Sequence, residues 1–368
     1  MRCKLNKKNI LFCIDSLQPG GAETILINTV NELAKDSNLK ITVQLLRGKN
    51  NPPLHSSITV RKFMSDGKLY RAFIRFLSAT ILHALIIRGE YDLEIAYMEG
   101  ASTKVISGCR KKKCRTIAWV HTDMEKYQWS QRSYRNLNEE KEAYNSFDYV
   151  FAVSSDVKRV FENEFKIDAQ FVQNIINDNR IKELGEDSTS VFTDSRFHIV
   201  SVGAIKQVKG YERLVAIHRE LKNSNIDCCH YILGDGPNYD SLNQKIKEAG
   251  LADRIILVGY KENPYPWIKQ ADLFACTSYA EGYSSVVSEA IILGTPVITT
   301  DCSGMHDILG DSEYGMIVEN NDAALLDGLK ELISEKDLLE DYRKKAEYRS
   351  SHFMIEKSIS ILRKMLEI

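Results

Sequence analysis

Short apolar runs alternate with amphipathic stretches along nearly all of this 368-residue chain, and that alternation constrains the fold more than any other feature. Asn9–Asp15 (NILFCID) predicts a buried strand, then a loop carrying Gly20 and Gly21, then a helix over Glu23–Ala34. Further strands are predicted at Leu39–Leu46, Asp92–Tyr97, Thr116–Val120 and Tyr149–Ser154, with helices over Lys68–Arg88 and Asp156–Phe165. The pattern restarts at His198–Val202 and continues with strands at Cys229–Leu233, Ile255–Val258, Leu273–Thr277 and Pro296–Thr300. The helices between them are Tyr211–Asn223, Tyr239–Ala249, Pro266–Gln270 and Ser284–Leu293, and a helical tail begins near Asp322. Strands that are apolar throughout and separated by helices form parallel sheets covered on both faces.

The expected fold class is therefore α/β, with two Rossmann-like, doubly wound domains and a cleft between them. The first spans residues 1–175 and the second 196–350. Residues 176–195 read as a linker because Lys182–Ser195 is polar and aperiodic. At roughly 100–200 residues per domain the length suits two such units. In sheets of this kind ligands bind beyond the carboxyl ends of the strands, so the loops after strands are where chemistry is expected.

Composition excludes disorder, since 43% of the residues are apolar and 27% charged. The net charge of −1 conceals an asymmetry: Met1–Arg180 sums to +8 and the remainder to −9. A basic first half points to an anionic partner. Nucleic acid is disfavoured because the basic run Arg110–Lys113, with Arg115 just beyond, lacks interleaved aromatics. An anionic membrane surface fits better. Lys68–Arg88 reads either as a core helix or as an interfacial one touching lipid. No stretch has 18 uninterrupted apolar residues, and RCKLNKKN leads into a strand without a leader-like cleavage region, so a cytoplasmic address is expected. None of the eight cysteines forms a C-x-x-C pair. Buried reduced thiols are the expectation, and no metal.

Several loops carry candidate site residues. In Glu281–Glu289 (EGYSSVVSE), Glu281 falls in the loop after a strand, and Ser284 or Ser285 can cap a helix containing Glu289. The free N–H groups at such a helix start suit a diphosphate. Glu281 can then accept from hydroxyls attached to the anion, and Glu289 from a second set such as a ribose diol. The plainer reading makes Glu281 a partner of the helix dipole and Glu289 an exposed helical residue. Gly203–Gly210 (GAIKQVKG) follows a strand with Lys206 and Lys209, which suit phosphate or are simply solvated. Gly234-Asp235-Gly236-Pro237 is another tight turn after a strand. Gly20 and Gly21 offer bare amides without the G-x-G-x-x-G spacing. His121 ends a strand at the sheet's carboxyl edge, and Asp123 two residues on assists it or caps a turn.

Together these segments resemble the retaining glycosyltransferases of the GT-B fold, in particular family 4 (group 1), whose members build bacterial capsule, exopolysaccharide and lipopolysaccharide glycans. The resemblance rests on E-G-Y-S-S-V-V-S-E-A as an E-x7-E motif, Gly20–Glu23 (GGAE), the strand-end His121, Ala152–Phe161, VQNIIND, VGAIKQVKG, GDGP and GTPVITT, in that family's order. It implies that Glu281 binds donor-sugar hydroxyls and Glu289 the ribose. Lys209 neutralises the diphosphate, and Gly203 belongs to the same loop. Amides around Gly282, Tyr283, Ser284, Ser285 and Val286 hold phosphates and sugar, and those of Gly20 and Gly21 line the other wall. His121 contacts the donor sugar, and the backbone near Tyr260 and Lys261 receives the base. The resemblance further implies that the helix over 351–368 crosses back to the first domain.

Two departures stand out. Ala204 occupies the position of the family's arginine, for which Lys206 is a candidate replacement. Cys302–Asp307 replaces the usual G-G-x-x-E loop. No D-x-D occurs in the sequence, so departure of the leaving group is expected to rely on cationic side chains rather than a metal. The implied activity is metal-independent retaining transfer of a hexose-type sugar from a UDP- or GDP-sugar to a glycan acceptor, lipid-linked, at the inner face of the plasma membrane. A nucleotide-sugar epimerase and a non-catalytic sugar-nucleotide or glycan-binding subunit are the alternatives.

Overall fold

The structure, a computed structural model, describes residues 7–18, 20–48, 53–187 and 189–368. The chain divides into two compact units, one of residues Met1–Ile175 with Glu356–Ile368, the other of Ile176–Ile355. Unit 1 contains strands β1 (Lys8–Ile14), β2 (Leu39–Arg47), β3 (Thr59–Met64), β4 (Leu93–Ala96), β5 (Arg115–Val120), β6 (Tyr149–Ala152) and β7 (Gln170–Phe171). They form one parallel sheet in the order 3-2-1-4-5-6-7. Unit 2 contains β8 (Phe197–Val202), β9 (Cys228–Leu233), β10 (Ile255–Gly259), β11 (Leu273–Cys276), β12 (Val297–Thr300) and β13 (Met316–Val318), parallel in the order 10-9-8-11-12-13.

Both orders are doubly wound, and each reverses direction at one point: between β1 and β4 in unit 1, and between β8 and β11 in unit 2. Crossover helices on either side of the reversal run to opposite faces, leaving a crevice at the carboxyl ends of those two strands. The central strands are buried on both faces, as in Leu11–Ile14 and Ile199–Ser201. In unit 2 the helix Asp322–Ser334 lays Leu325, Leu329 and Leu332 against Ile199, Ile217 and Ile298. In unit 1, Leu11, Cys13 and Ala96 meet Tyr70, Leu82 and Val105.

The structure departs from the sequence reading at three places. The helix expected over Lys68–Arg88 is two helices, Lys68–Phe76 and Ala79–Ile86. Leu77 is extended, and the Ser78 hydroxyl accepts from the Ile81 N–H, capping the second helix. Each piece buries one side (Tyr70 and Ile74, then Leu82 and Ile86), while Leu69, Phe76, Ile81 and Leu85 stay exposed. β3, the edge strand, follows no apolar alternation that would announce it; its residues are half-buried or exposed.

Residues 176–195 are not a free spacer. A helix, Asp178–Gly185, is capped by the Asn177 side chain and packs within unit 2. Asn263 donates to the Leu184 carbonyl at 3.0 Å, and the Phe192 ring stacks on His198 with centroids 4.2 Å apart. At the other end the helix Ile355–Leu366 belongs to unit 1. It is held there by Arg363 against Asp36, by Arg115 against Glu367 at 2.6 Å, and by Lys8 Nζ donating to the Glu367 carbonyl.

Candidate active site

The strand reversal in unit 2 brings together two loops far apart in sequence: Gly203–Gly210 after β8 and Thr277–Ser284 after β11. They are knitted by backbone geometry. Gly210 has φ +65°, and a Cβ there would lie 2.1 Å from the Thr277 carbonyl oxygen, so only glycine lets the loops approach. The Thr277 hydroxyl donates to the Lys209 carbonyl at 2.9 Å, and the Tyr279 N–H to the Val208 carbonyl at 2.8 Å.

This clamp delivers Lys209 to Glu281. Lys209 Nζ donates to Glu281 Oε1 at 2.6 Å, and the Ser278 hydroxyl donates to the same oxygen at 2.6 Å. Burial works against the Lys209 ammonium, and the adjacent carboxylate more than offsets it, leaving its pKa above the usual lysine range. The lysine is thus a fixed cation. A small cavity lined by Val202, Lys209, Tyr211, Cys276, Ser278 and Val286 opens beside the pair.

Immediately downstream, Ser284 occupies the cap position of the helix Ser285–Ile292. Its hydroxyl is buried and has no hydrogen-bond partner among the described residues. Glu289 lies on this helix, buried rather than exposed, which sets aside the plainer reading of that residue. Burial raises its pKa to about 7. Tyr283 and Ser288 face each other, with their hydroxyls 3.3 Å apart. Gly282, Tyr283, Ser285 and Val286 are half-buried along the same segment.

Two supporting residues had no motif to announce them. Arg213 is buried, donates to the Thr277 carbonyl, pairs with Asp322 at 3.0 Å and lies over the Tyr279 ring. Asn320 accepts from Arg213 at 3.0 Å and donates to the carbonyls of Ser278 and Tyr279. The departing loop joins this network: Thr300 donates to the Ser278 carbonyl at 2.6 Å, and Cys302 and Ser303 are buried before a short helix, Met305–Leu309. The remaining predicted residues stand apart from the pair. Ala204 and Lys206 are exposed, and the Lys206 side chain makes no hydrogen bond or ion pair among the described residues. Tyr260 and Lys261, exposed, follow the edge strand β10.

In unit 1 the reversal lies between β1 and β4. Gly20 caps the helix Gly21–Leu33, whose first turn is exposed or half-buried. His121 follows β5, its ring packed on Tyr97 with centroids 4.7 Å apart. His121 Nε2 is buried with no hydrogen-bond partner among the described residues, and burial pushes the imidazole's pKa down to about 3. The residue that sets this turn is Glu99, which the sequence reading passed over. Its Oε1 accepts the backbone N–H groups of His121 at 2.5 Å and Thr122 at 2.6 Å. Burial raises the Glu99 carboxyl to about 7, against those bonds, and Oε2 has no hydrogen-bond partner among the described residues. Asp123 caps the following turn by accepting from Glu125 and Lys126. A cavity of about 200 Å³, lined by Ser78, Thr80, Lys104, Arg110, Tyr134 and Arg135 among others, contains none of the candidate donor-site residues.

Known proteins match these two units in turn. The family model described as Glycosyltransferase Family 4 matches residues 19–180, and that described as Glycosyl transferases group 1 matches residues 186–349. The chain belongs to the group 1 glycosyltransferases. It is 30% identical over 191 residues to the Campylobacter jejuni N-acetylgalactosamine-N,N'-diacetylbacillosaminyl-diphospho-undecaprenol 4-alpha-N-acetylgalactosaminyltransferase, a match spanning 51% of this chain and 52% of that protein. It is 21% identical over 348 residues to the amylovoran biosynthesis glycosyltransferase AmsD of Erwinia amylovora, covering 94% and 95%. Among solved structures, HepE of Anabaena in complex with UDP and glucose superposes with a TM-score of 0.75 at 19% identity, over 98% of this chain and 99% of that one. Sucrose-phosphate synthase of Thermosynechococcus elongatus gives 0.79 at 17%, over 98% of each. The fold is therefore GT-B.

Proposed function

We propose that this protein transfers a hexose-type sugar from a nucleotide-diphosphate sugar, a UDP-sugar first among them, to a glycan acceptor in surface polysaccharide synthesis, with retention at the anomeric carbon. The observation that carries this reading is the Lys209–Glu281 pair at the strand reversal of unit 2, next to a helix start whose Ser284 hydroxyl has no partner among the described residues.

The bond from the anomeric carbon to the β-phosphate oxygen breaks, and a bond from that carbon to the acceptor oxygen forms. Positive charge develops on the sugar and negative charge on the leaving diphosphate. Lys209 and the free amides of the helix Ser285–Ile292 meet that anion, preorganised and at little reorganisation cost. Glu281 accepts from donor-sugar hydroxyls, and Glu289 from the ribose diol. Same-face attack, with the leaving phosphate oxygen taking the acceptor proton, follows the family resemblance. The cation and the amides stabilise charge where a divalent ion otherwise would, so the reaction proceeds without added Mg2+ or Mn2+. His121, neutral because of its burial, is assigned the donor-sugar contact. UDP in the HepE complex and the diphospho-undecaprenol acceptor in the name of the Campylobacter relative support the UDP-sugar and lipid-linked assignments.

A thermal-shift series with UDP, GDP and their sugar conjugates tests this, because a ligand bound only by the folded protein raises Tm with concentration. UDP and one UDP-sugar raise Tm in the wild type and less in Glu289→Ala. No shift at millimolar ligand would favour a non-catalytic subunit, with Ala204 as the residue to revert to arginine.

Membrane association belongs to the same proposal. No helix among the described residues is long and apolar enough to cross a membrane. Leu69, Phe76, Ile81 and Leu85 are exposed on consecutive helices beside exposed Arg71 and Arg75, an arrangement suited to an anionic bilayer surface.

A further inference from the structure

Three side chains with metal-binding chemistry, none of them used in sugar transfer, converge in unit 1, and a fourth, Cys114, follows one of them by five residues. His83 comes from the helix Ala79–Ile86 and Glu94 from the N-terminal half of β4. Cys109 follows the helix Ala101–Ile106, and Cys114 immediately precedes β5. His83 Nε2 lies 2.7 Å from Glu94 Oε2, and donor atoms of His83, Glu94 and Cys109 all fall within 4.8 Å of one another. Cys114 is a half-buried free thiol five residues further along the chain from Cys109. Glu94 is fully buried, and its Oε1 has no hydrogen-bond partner among the described residues; Lys111 Nζ stands 3.9 Å away.

We propose that His83, Glu94, Cys109 and Cys114 form a structural zinc site. Two thiolates, an imidazole and a carboxylate are a donor set that zinc takes tetrahedrally. With bonds of about 2.0–2.3 Å, neighbouring donors sit roughly 3.3–3.8 Å apart, so His83 and Glu94 need part by no more than about 1 Å. Glu94 Oε1, which faces Lys111 Nζ only at 3.9 Å, gains a directly bound cation. Three anionic ligands exceed the ion's charge by one, and the segment between the cysteines, Arg110-Lys111-Lys112-Lys113, supplies the balancing positive charge.

No C-x-x-C pair announces this cluster. Cys109 and Cys114 are spaced C-x4-C, the long end of zinc pairs, and the other two ligands come from elements brought close only by folding. Location argues for structure rather than catalysis. The site lies toward the N-terminal ends of β4 and β5, whereas His121 and Glu99 lie beyond their carboxyl ends. An ion there fastens the helix Ala79–Ile86 and the turn at 107–114 to the sheet.

The test uses the full chain under reductant, stripped of metal and reconstituted with zinc, then separately with cobalt. We expect one zinc per chain, a rise in Tm on zinc addition, and a cobalt spectrum with thiolate charge-transfer absorption and the strong visible bands of tetrahedral coordination. Cys109→Ser and Cys114→Ser each weaken the thiolate bands and lower zinc affinity at least about tenfold, with an unchanged circular dichroism spectrum. Wild-type protein that takes up no stoichiometric zinc overturns the proposal. So does a cobalt spectrum without thiolate absorption, which needs no variant to fold, or a Cys109–Cys114 disulfide that persists in place of metal under these conditions.

Discussion

Lys209 Nζ and Glu281 Oε1 lie 2.6 Å apart although 72 residues separate them in the chain. The pair exists because β8 and β11 are neighbours at the one point where strand order reverses, and because Gly210 lets the two following loops touch. Solvent reaches 23% of the Lys209 side chain and 11% of Glu281's, so the pair is partly dry and its charges act at short range.

Lys209→Met removes the cation proposed to meet the leaving diphosphate. It is expected to lower donor-sugar turnover by about 10²–10³, the loss typical of one preorganised electrostatic contact in an active site. Isothermal titration should show UDP binding weakened as well. Turnover within twofold of wild type would remove Lys209 from the mechanism, while a stability loss alone would leave it a structural partner of Glu281.

Glu289 provides a prediction in which stability and binding move in opposite directions. Burial raises its pKa from 4.5 to about 7. Across that window the unfolded chain releases the proton while the folded chain keeps it, so the folded state binds more protons and stability falls as pH rises. Glu289→Gln removes the penalty. It should be more stable than wild type at pH 8 by up to about 3 kcal/mol and indistinguishable at pH 4. The same variant should bind UDP more weakly, since the buried carboxylate is kept, at a cost, for the ribose. Denaturant unfolding at the two pH values, with calorimetry on UDP, separates these effects; equal UDP affinity would make Glu289 a core residue and nothing more.

The doubly wound pattern was legible because its strands are apolar on both faces, so that NILFCID and HIVSV announce themselves without any partner. The loops carrying Lys209, Glu281 and His121 were legible for the same reason, since each directly follows such a strand. Glu99, Arg213 and Asn320 were not. Each works through contacts with segments remote in sequence: Glu99 with the backbone at 121 and 122, and Asn320 with the carbonyls at 278 and 279. No periodicity encodes a side chain whose partner is another element's backbone. The break at Leu77-Ser78 was hidden for a different reason. Apolar residues continue through it at helical spacing, and only the capping bond from Ile81 shows where one helix ends.

Glu99 and His121 make a prediction about protonation. With its pKa pushed down to about 3, His121 is neutral throughout the range in which the protein is expected to work. Its ring resonances in an NMR titration should therefore stay flat from pH 8 to pH 5. His121→Ala should lower turnover by roughly 10² or more while leaving UDP affinity unchanged, because the groups assigned to the nucleotide all lie in unit 2. Glu99→Ala leaves the N–H groups of His121 and Thr122 without their acceptor, a loss of about 1–3 kcal/mol in stability. It should lower turnover with the same unchanged UDP affinity. An imidazole titrating near pH 6.5 would contradict the burial on which the neutral role rests.

The exposed apolar side chains of the two helices at 68–86 are spaced for a surface. Leu69 and Phe76 are seven residues apart on the first helix, and Ile81 and Leu85 four apart on the second, so each pair shares a helix face. Their exposures of 72%, 66%, 49% and 49% leave apolar area that an interface would cover. Inserting a side chain of this size gains up to about 1.5–3 kcal/mol, and each adjacent arginine about 1 kcal/mol more at an anionic surface. Wild-type protein should therefore float with vesicles containing anionic lipid, and less completely at high salt. Leu69→Ser with Phe76→Ser should reduce the bound fraction at least tenfold at equal lipid, while leaving UDP binding untouched. Absence of wild-type flotation at low salt would end the membrane assignment and leave the transferase reading standing, because Lys209, Glu281 and Glu289 all lie in the other unit.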